Sequence, residues 1–108
     1  MVVNIKRYEI YLVKLNPTIG SEIQKTRPCI VISPNEINIL KTVIVASMTS
    51  KGFDFIFRPN IKFEKKDGLV LLDQIRTVDK ARLVKKLGVV DKKTSKNISN
   101  ILVQMFEQ

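Results

Sequence analysis

The chain has 108 residues, 44% of them hydrophobic, with one cysteine and no histidine or tryptophan. That length and apolar content suit a single domain spanning residues 1–108 around one core, and the missing histidines exclude a Cys/His zinc site, a Ser-His-Asp triad and a histidine acid–base pair. A net charge of +9, from 19 Lys and Arg against 10 Asp and Glu, favours polyanion partners: nucleic acid, an acidic protein or an anionic membrane surface.

The opening MVVNIKRYEI lacks the apolar core and small-residue cleavage site of a secretory signal, and no apolar run approaches the roughly 20 residues that cross a bilayer. A soluble, cytoplasmic protein is therefore expected. Glu9 to Leu15 (EIYLVKL) is rich in β-branched, aromatic and aliphatic residues and reads as a buried strand. A polar loop with the turn formers Pro17, Gly20 and Ser21 follows, and Arg27-Pro28 leads into a second strand, Cys29 to Ser33. This arrangement places Glu22, Lys25 and Arg27 at the mouth of a sheet, where loops on rigid strands concentrate binding and catalytic groups. Cys29 has no cysteine to pair with and no histidine to activate it, so it reads as a small buried hydrophobe.

Pro34 stops the second strand, and the polar segment that follows is expected to cross an end of the sheet. Thr42 to Met48 (TVIVASM) is continuously apolar, which predicts a central third strand, and Thr49-Ser50-Lys51-Gly52 is a turn carrying two hydroxyls and a cation. Phe53, Phe55 and Phe57 alternate with Asp54 and Ile56, predicting a half-exposed strand whose aromatic face packs inward. With aromatics at 6% of the chain, no extended stacking platform for single strands is expected. Ile61 to Phe63 is a further short strand, Lys65-Lys66-Asp67-Gly68 a hairpin turn, and Leu69 to Ile75 a strand ending in a polar string. Asp79 heads a single helical turn, Leu83 to Val90 forms the last strand, and Ile98, Ile101, Leu102 and Met105 mark the apolar face of a C-terminal helix from about Thr94 to Phe106. The whole predicts a mainly β fold, a curled, barrel-like antiparallel sheet covered by one helix.

The carboxylates Asp54, Glu64, Asp67, Asp73 and Asp79 show no metal-binding spacing, and GSEIQKT lacks the glycines and Lys-Ser/Thr ending of a P-loop. No cofactor is implied. What remains is chemistry done with Arg, Lys, carboxylate, hydroxyl and backbone amide. That set suits transfer of an RNA phosphodiester to its own 2'-oxygen, because the substrate brings the nucleophile and the protein need only orient it, take its proton and stabilise charge. In such a scheme Arg27 clamps the phosphate, Glu22 takes the proton and Thr49 donates to a nonbridging oxygen.

LNPTIGSEIQKTRPCIVIS, the Thr49-Ser50 turn and GLVLLDQIRTVDKARLVKKLG, in that order, resemble the MazF/PemK family of toxin endoribonucleases over nearly the whole chain. The resemblance implies a compact SH3-like barrel with a C-terminal helix, assembled as a homodimer. It also implies metal-independent, sequence-selective cleavage of single-stranded RNA to 2',3'-cyclic phosphate and 5'-hydroxyl ends, and an antitoxin whose acidic tail covers the RNA site. Matched by motif, Arg27, Glu22 and Thr49 are the implied catalytic residues; Ser21, Lys25, Ser50, Lys51, Gln74 and Arg76 are candidate RNA contacts. DNA is at most a binder that is not cut.

Departures from the family pattern bear on detail. Arg7-Tyr8-Glu9 stands where Arg-Gly-Asp is common, which alters a turn before the first strand. Leu71 occupies the position of a basic group that some relatives pair with the aspartate matching Asp73, so an acid–base pair built on Asp73 is disfavoured and a structural polar network is the preferred reading for it. Plainer roles stand beside the catalytic ones: Glu22 can hold its loop by accepting backbone N–H groups, and Thr49 and Ser50 can simply start a turn. The alternative functions are a barrel that binds nucleic acid or protein without cutting, and a toxin aimed at a protein target such as a topoisomerase.

Overall fold

A computed structural model of the protein describes residues 4–22 and 25–107. The apolar runs form strands β1 (Glu9–Lys14), β2 (Thr26–Val31), β3 (Thr42–Thr49), β4 (Asn60–Phe63), β5 (Lys66–Val70), β6 (Arg76–Asp79) and β7 (Leu83–Val89), followed by the helix α1 (Lys92–Phe106). Their runs are continuous because both faces of the sheet are covered. Tyr11, Val13, Cys29, Val31, Val43 and Val45 enter one apolar cluster, whereas Ile10, Ile30, Ile32, Ala46 and Met48 enter the other, beneath α1. The two sets alternate along each strand, as a period of two requires.

β3 is the central strand, as its sequence predicts. β2 lies along one edge, with Cys29 opposite Ser47 and Val31 opposite Val45; along the other, β6 pairs with its first half and β5 with Met48 and Thr49. The strand order β4-β5-β3-β2-β1-β7 curls until its ends approach, so that a Cβ on Gly88 in β7 would stand 3.9 Å from the Phe63 ring in β4. Register shifts on either side of Tyr11 and Leu12 bend β1 against β7 and contribute to that curl. The result is a half-barrel capped by α1, in which Asp91 accepts from the Thr94 N–H at 2.7 Å and Ile98 is fully buried.

Three elements differ from the sequence reading. Residues 53–57 form no strand; they meet Arg58 through one isolated bridge, and Phe53 and Ile56 stay 67% and 66% exposed. The period was right but the partner was missing, because β5 takes the end of β3 and β4 takes the free edge of β5. Leu69 to Ile75 is broken by a 3-10 turn at Leu72–Gln74, which absorbs the slip in register between the stretches of β3 paired by β5 and by β6. The β4–β5 turn falls on Glu64 and Lys65, both with positive φ (51° and 64°) as a tight hairpin requires, while Lys66, Asp67 and Gly68 belong to β5. The remaining elements agree within a few residues, including the short helical turn at Lys80–Arg82 with Asp79 as its cap.

Candidate active site

The loop from β1 to β2 leaves and returns through a set of fixed contacts. Leu15 N donates to Lys25 O at 2.9 Å, and Lys25 N donates to Asn16 Oδ1 at 3.0 Å. From β6 and beyond, Arg76 Nη1 donates to Leu15 O at 3.0 Å, and Arg82 Nη1 reaches Lys14 O at 3.1 Å as well as the Asn16 carbonyl. Within the loop Gly20 takes a φ of 59°, a conformation open to glycine at little cost, and Glu22 Oε1 accepts from Ile19 N at 2.6 Å. Ile23 and Gln24 lie outside the described residues.

Extending the β2–β3 register outward from Cys29 and Ser47 puts Arg27 opposite Thr49, and the two side chains line one cleft of about 240 Å³ with Ser50, Phe63, Asp67 and Gly68. Thr49 Oγ1 accepts from Lys51 N at 3.1 Å, which starts the turn and leaves the hydroxyl proton to be given to another acceptor. Gly68 is dictated by this junction: a Cβ there would lie 2.7 Å from the Thr49 carbonyl oxygen, closer than packed atoms come. A guanidinium, two hydroxyls and a glycine-bared backbone therefore meet at the end of β3.

A second cleft, of about 560 Å³, opens at the same end of β3 and is lined by Ser21, Glu22, Ser47, Asp73, Gln74 and Arg76. Its size is within the range of small-molecule sites, about 300–1,000 Å³. Asp73 is engaged in a bidentate pair with Arg58, at 2.9 Å to Nε and 2.8 Å to Nη2. Hydrogen bonding to that guanidinium holds the Asp73 carboxyl below the usual carboxylate range. Beneath the cleft the Cys29 thiol is buried against Ser47, and burial pushes its pKa up to about 11, so it is an inert packing group, as the sequence indicates.

The structure thus brings Arg27, Thr49 and Ser50 together in one cleft, and Ser21, Glu22, Gln74 and Arg76 in the other. Lys25 and Lys51 are exposed and line neither. Arg76 also holds the loop base, and Glu22 is partly engaged in its own loop, so both have a structural duty that their sequence positions left open. Sequence reasoning missed Ser47 and the hairpin residues Phe63, Asp67 and Gly68 as site-lining groups. Gly68 reads in the sequence as part of a hairpin turn, and its place in β5 against Thr49 shows only once the strands are paired. Among the described residues no three His, Cys, Asp or Glu side chains group closely enough to hold a metal ion, and no helix is long and apolar enough to cross a membrane.

Residues 6–106 match the model of the PemK-like, MazF-like toxins of type II toxin-antitoxin systems. The chain is 35% identical over 105 residues to Endoribonuclease MazF of Staphylococcus saprophyticus subsp. saprophyticus, covering 91% of this chain and 88% of that protein. Its fold superposes on the crystal structure of MazF (Form-I) from Deinococcus radiodurans with a TM-score of 0.83 at 19% identity, over 96% of this chain and 97% of the other. It also superposes on an endoribonuclease in complex with its cognate antitoxin from a mycobacterial species, with a TM-score of 0.78 at 22% identity over 93% and 92% of the two chains. The structural likenesses establish the half-barrel with its terminal helix, and the sequence matches establish descent: the chain belongs to the PemK-like, MazF-like toxin family of type II toxin-antitoxin systems.

Proposed function

We propose that the protein is an endoribonuclease toxin that cuts single-stranded RNA, mRNA included, at selected sequences without a metal ion, leaving 2',3'-cyclic phosphate and 5'-hydroxyl ends. The observation that carries this reading is the convergence of Arg27 and Thr49 on one cleft at the end of β3. The substrate's own 2'-oxygen attacks the adjacent phosphorus, the P–O5' bond breaks, and negative charge builds on the nonbridging oxygens. Arg27 is the clamp for that charge: its planar, positively charged guanidinium matches two phosphate oxygens at once. Thr49, with its hydroxyl proton uncommitted to the Lys51 amide, donates to a nonbridging oxygen. Glu22 takes the 2'-hydroxyl proton from the second cleft, which shares the end of β3 with the first. Water or a hydroxyl returns a proton to the departing 5'-oxygen, since a guanidinium is a poor proton donor.

In this reading Ser21, Gln74 and Arg76 contact RNA from the second cleft and Ser50 from the first, while Lys25 and Lys51 attract the backbone from the rims. The net charge of +9 suits both an RNA substrate and an acidic antitoxin that competes for the same surface. A homodimer acting in the cytoplasm completes the proposal. DNA, lacking the 2'-hydroxyl, is bound without being cut.

The test is to incubate purified protein with an RNA and with its all-DNA copy in EDTA. Cleavage of the RNA alone, surviving chelation and yielding a 2',3'-cyclic phosphate end, is expected. Cleavage of DNA, or loss of all cleavage in EDTA, contradicts the chemistry. A varied RNA pool that stays intact assigns the fold to binding without cutting.

A further inference from the structure

The segment that follows the Thr49-Ser50 turn exposes a run of apolar side chains beside the first cleft. Phe53, Phe55 and Ile56 are 67%, 45% and 66% exposed, in a loop that the sequence reading would have buried. The rings are nonetheless ordered against one another. Phe53 and Phe55 stand edge to face with centroids 6.3 Å apart, and Phe55 meets Phe57 the same way at 5.8 Å. Arg58 lies over the Phe53 ring, 5.2 Å from its centroid, and is itself fixed by both oxygens of Asp73. The carboxylate locks the guanidinium, the guanidinium backs Phe53, and Phe53 supports Phe55, so the aromatic surface is braced from the second cleft.

We infer that Phe53 and Phe55 form a stacking platform for bases of single-stranded RNA flanking the cleaved bond. This rests on the endoribonuclease reading and adds to it a set of residues that grip RNA without touching the reacting atoms. Position and charge select this occupant. The loop begins where the cleft residues Thr49 and Ser50 end, so a strand leaving the cleft meets it next. Lys51 is an exposed cation at its start, in a chain of net charge +9, and Asp54 is the one opposing charge between the rings. A base has an apolar π face for the ring and carries a phosphate for the cation, whereas a purely apolar partner would use only half of this surface.

The chain has no tryptophan, so a Phe53→Trp variant places one emitter on the platform. Three probes are titrated into it: a fully 2'-O-methylated RNA that cannot be cut, its all-DNA copy, and an abasic oligonucleotide with the same number of phosphates. Stacking predicts quenching by the first two and none by the abasic strand. In the otherwise natural chain, Phe53→Ala with Phe55→Ala is expected to weaken binding of the methylated RNA at least tenfold, in line with roughly 1–3 kcal/mol per stacked base and 1.4 kcal/mol per factor of ten. The same pair raises KM for cleavage with little effect on kcat, and Phe53→Tyr with Phe55→Tyr restores KM.

Unchanged affinity in the double alanine variant overturns the inference, as does equal quenching by the abasic strand. Emission that shifts with protein concentration alone, or only on adding an acidic antitoxin, also overturns it and assigns the patch to a second copy or to that partner. The outcomes separate this inference from the proposed activity. Base-dependent quenching in a protein that cuts no RNA keeps the platform and removes the nuclease; cleavage without quenching does the reverse.

Discussion

The two clefts at the end of β3 are built by different means. In the first, Arg27 and Thr49 lie on strands just beyond the last β2–β3 pair, Cys29 with Ser47, and line one cleft, so both are carried by the sheet. In the second, Glu22 arrives on a long loop and is placed by contacts at the loop's base from Asn16, Arg76 and Arg82, and by its own bond to the Ile19 amide. Ladder contacts are shared among many residues, whereas loop contacts are few and each can be removed singly. In the proposed mechanism the charge clamp would then sit on strands and the proton-taking Glu22 on a loop, so the two can be perturbed separately.

The comparison is tested hardest at Arg27. Arg27→Ala is expected to lower RNA cleavage by roughly 100- to 1,000-fold, the usual loss for one transition-state donor, in a protein that circular dichroism shows to be folded. A folded variant that cuts at the normal rate removes the first cleft from the chemistry. Glu22→Gln comes next, with an expected loss of about 100-fold, the lower range for a general base. Glutamine can still accept from the Ile19 amide but cannot take the 2'-proton. If Glu22→Gln cuts normally while Glu22→Ala does not, Glu22 serves only its loop.

Gly68→Ala probes the strand-built side. The added methyl would meet the Thr49 carbonyl at 2.7 Å, so β5 or the Thr49 backbone must move. A stability loss of roughly 1–3 kcal/mol, typical of overpacking, is expected, together with a cleavage loss that exceeds the fraction unfolded. Full activity with full stability would show that the junction yields easily and that the first cleft is less rigid than the register suggests.

How much of this could be read from the residues follows the same division. The strands, the central place of TVIVASM, the Asp79 cap and the apolar face of α1 are local consequences of period and capping, and they were legible. The family resemblance picked out Arg27 and Thr49, and the structure places them together. Long-range pairing was not legible. Nothing local in FDFIF reveals that the neighbouring sheet edge is already occupied, and nothing in KKDG shows that Gly68 lies against Thr49 and not in the turn. The second cleft brings Ser21 and Glu22 of the loop to Gln74 and Arg76, residues far apart in the chain.

The smallest effect is expected where the two regions are joined. Asp73 lines the second cleft, yet its carboxylate is held by Arg58, at the end of the loop that begins beside the first. Its pKa is depressed by that pair, so the stabilisation it supplies is present above the ordinary carboxylate value near 3.9 and is lost as pH falls through the lower folded value. Urea midpoints of the natural chain should therefore fall more steeply below about pH 4 than those of Asp73→Asn, and at pH 7 the two should differ by no more than about 1 kcal/mol for a solvent-touched pair. Cleavage by Asp73→Asn at saturating RNA should stay within about tenfold of normal, because a carboxylate committed to a guanidinium acts as a brace. A loss of 100-fold or more, the range of a missing general base, would transfer the proton-taking role from Glu22 to Asp73 and make the second cleft, not the first, the organising half of the site.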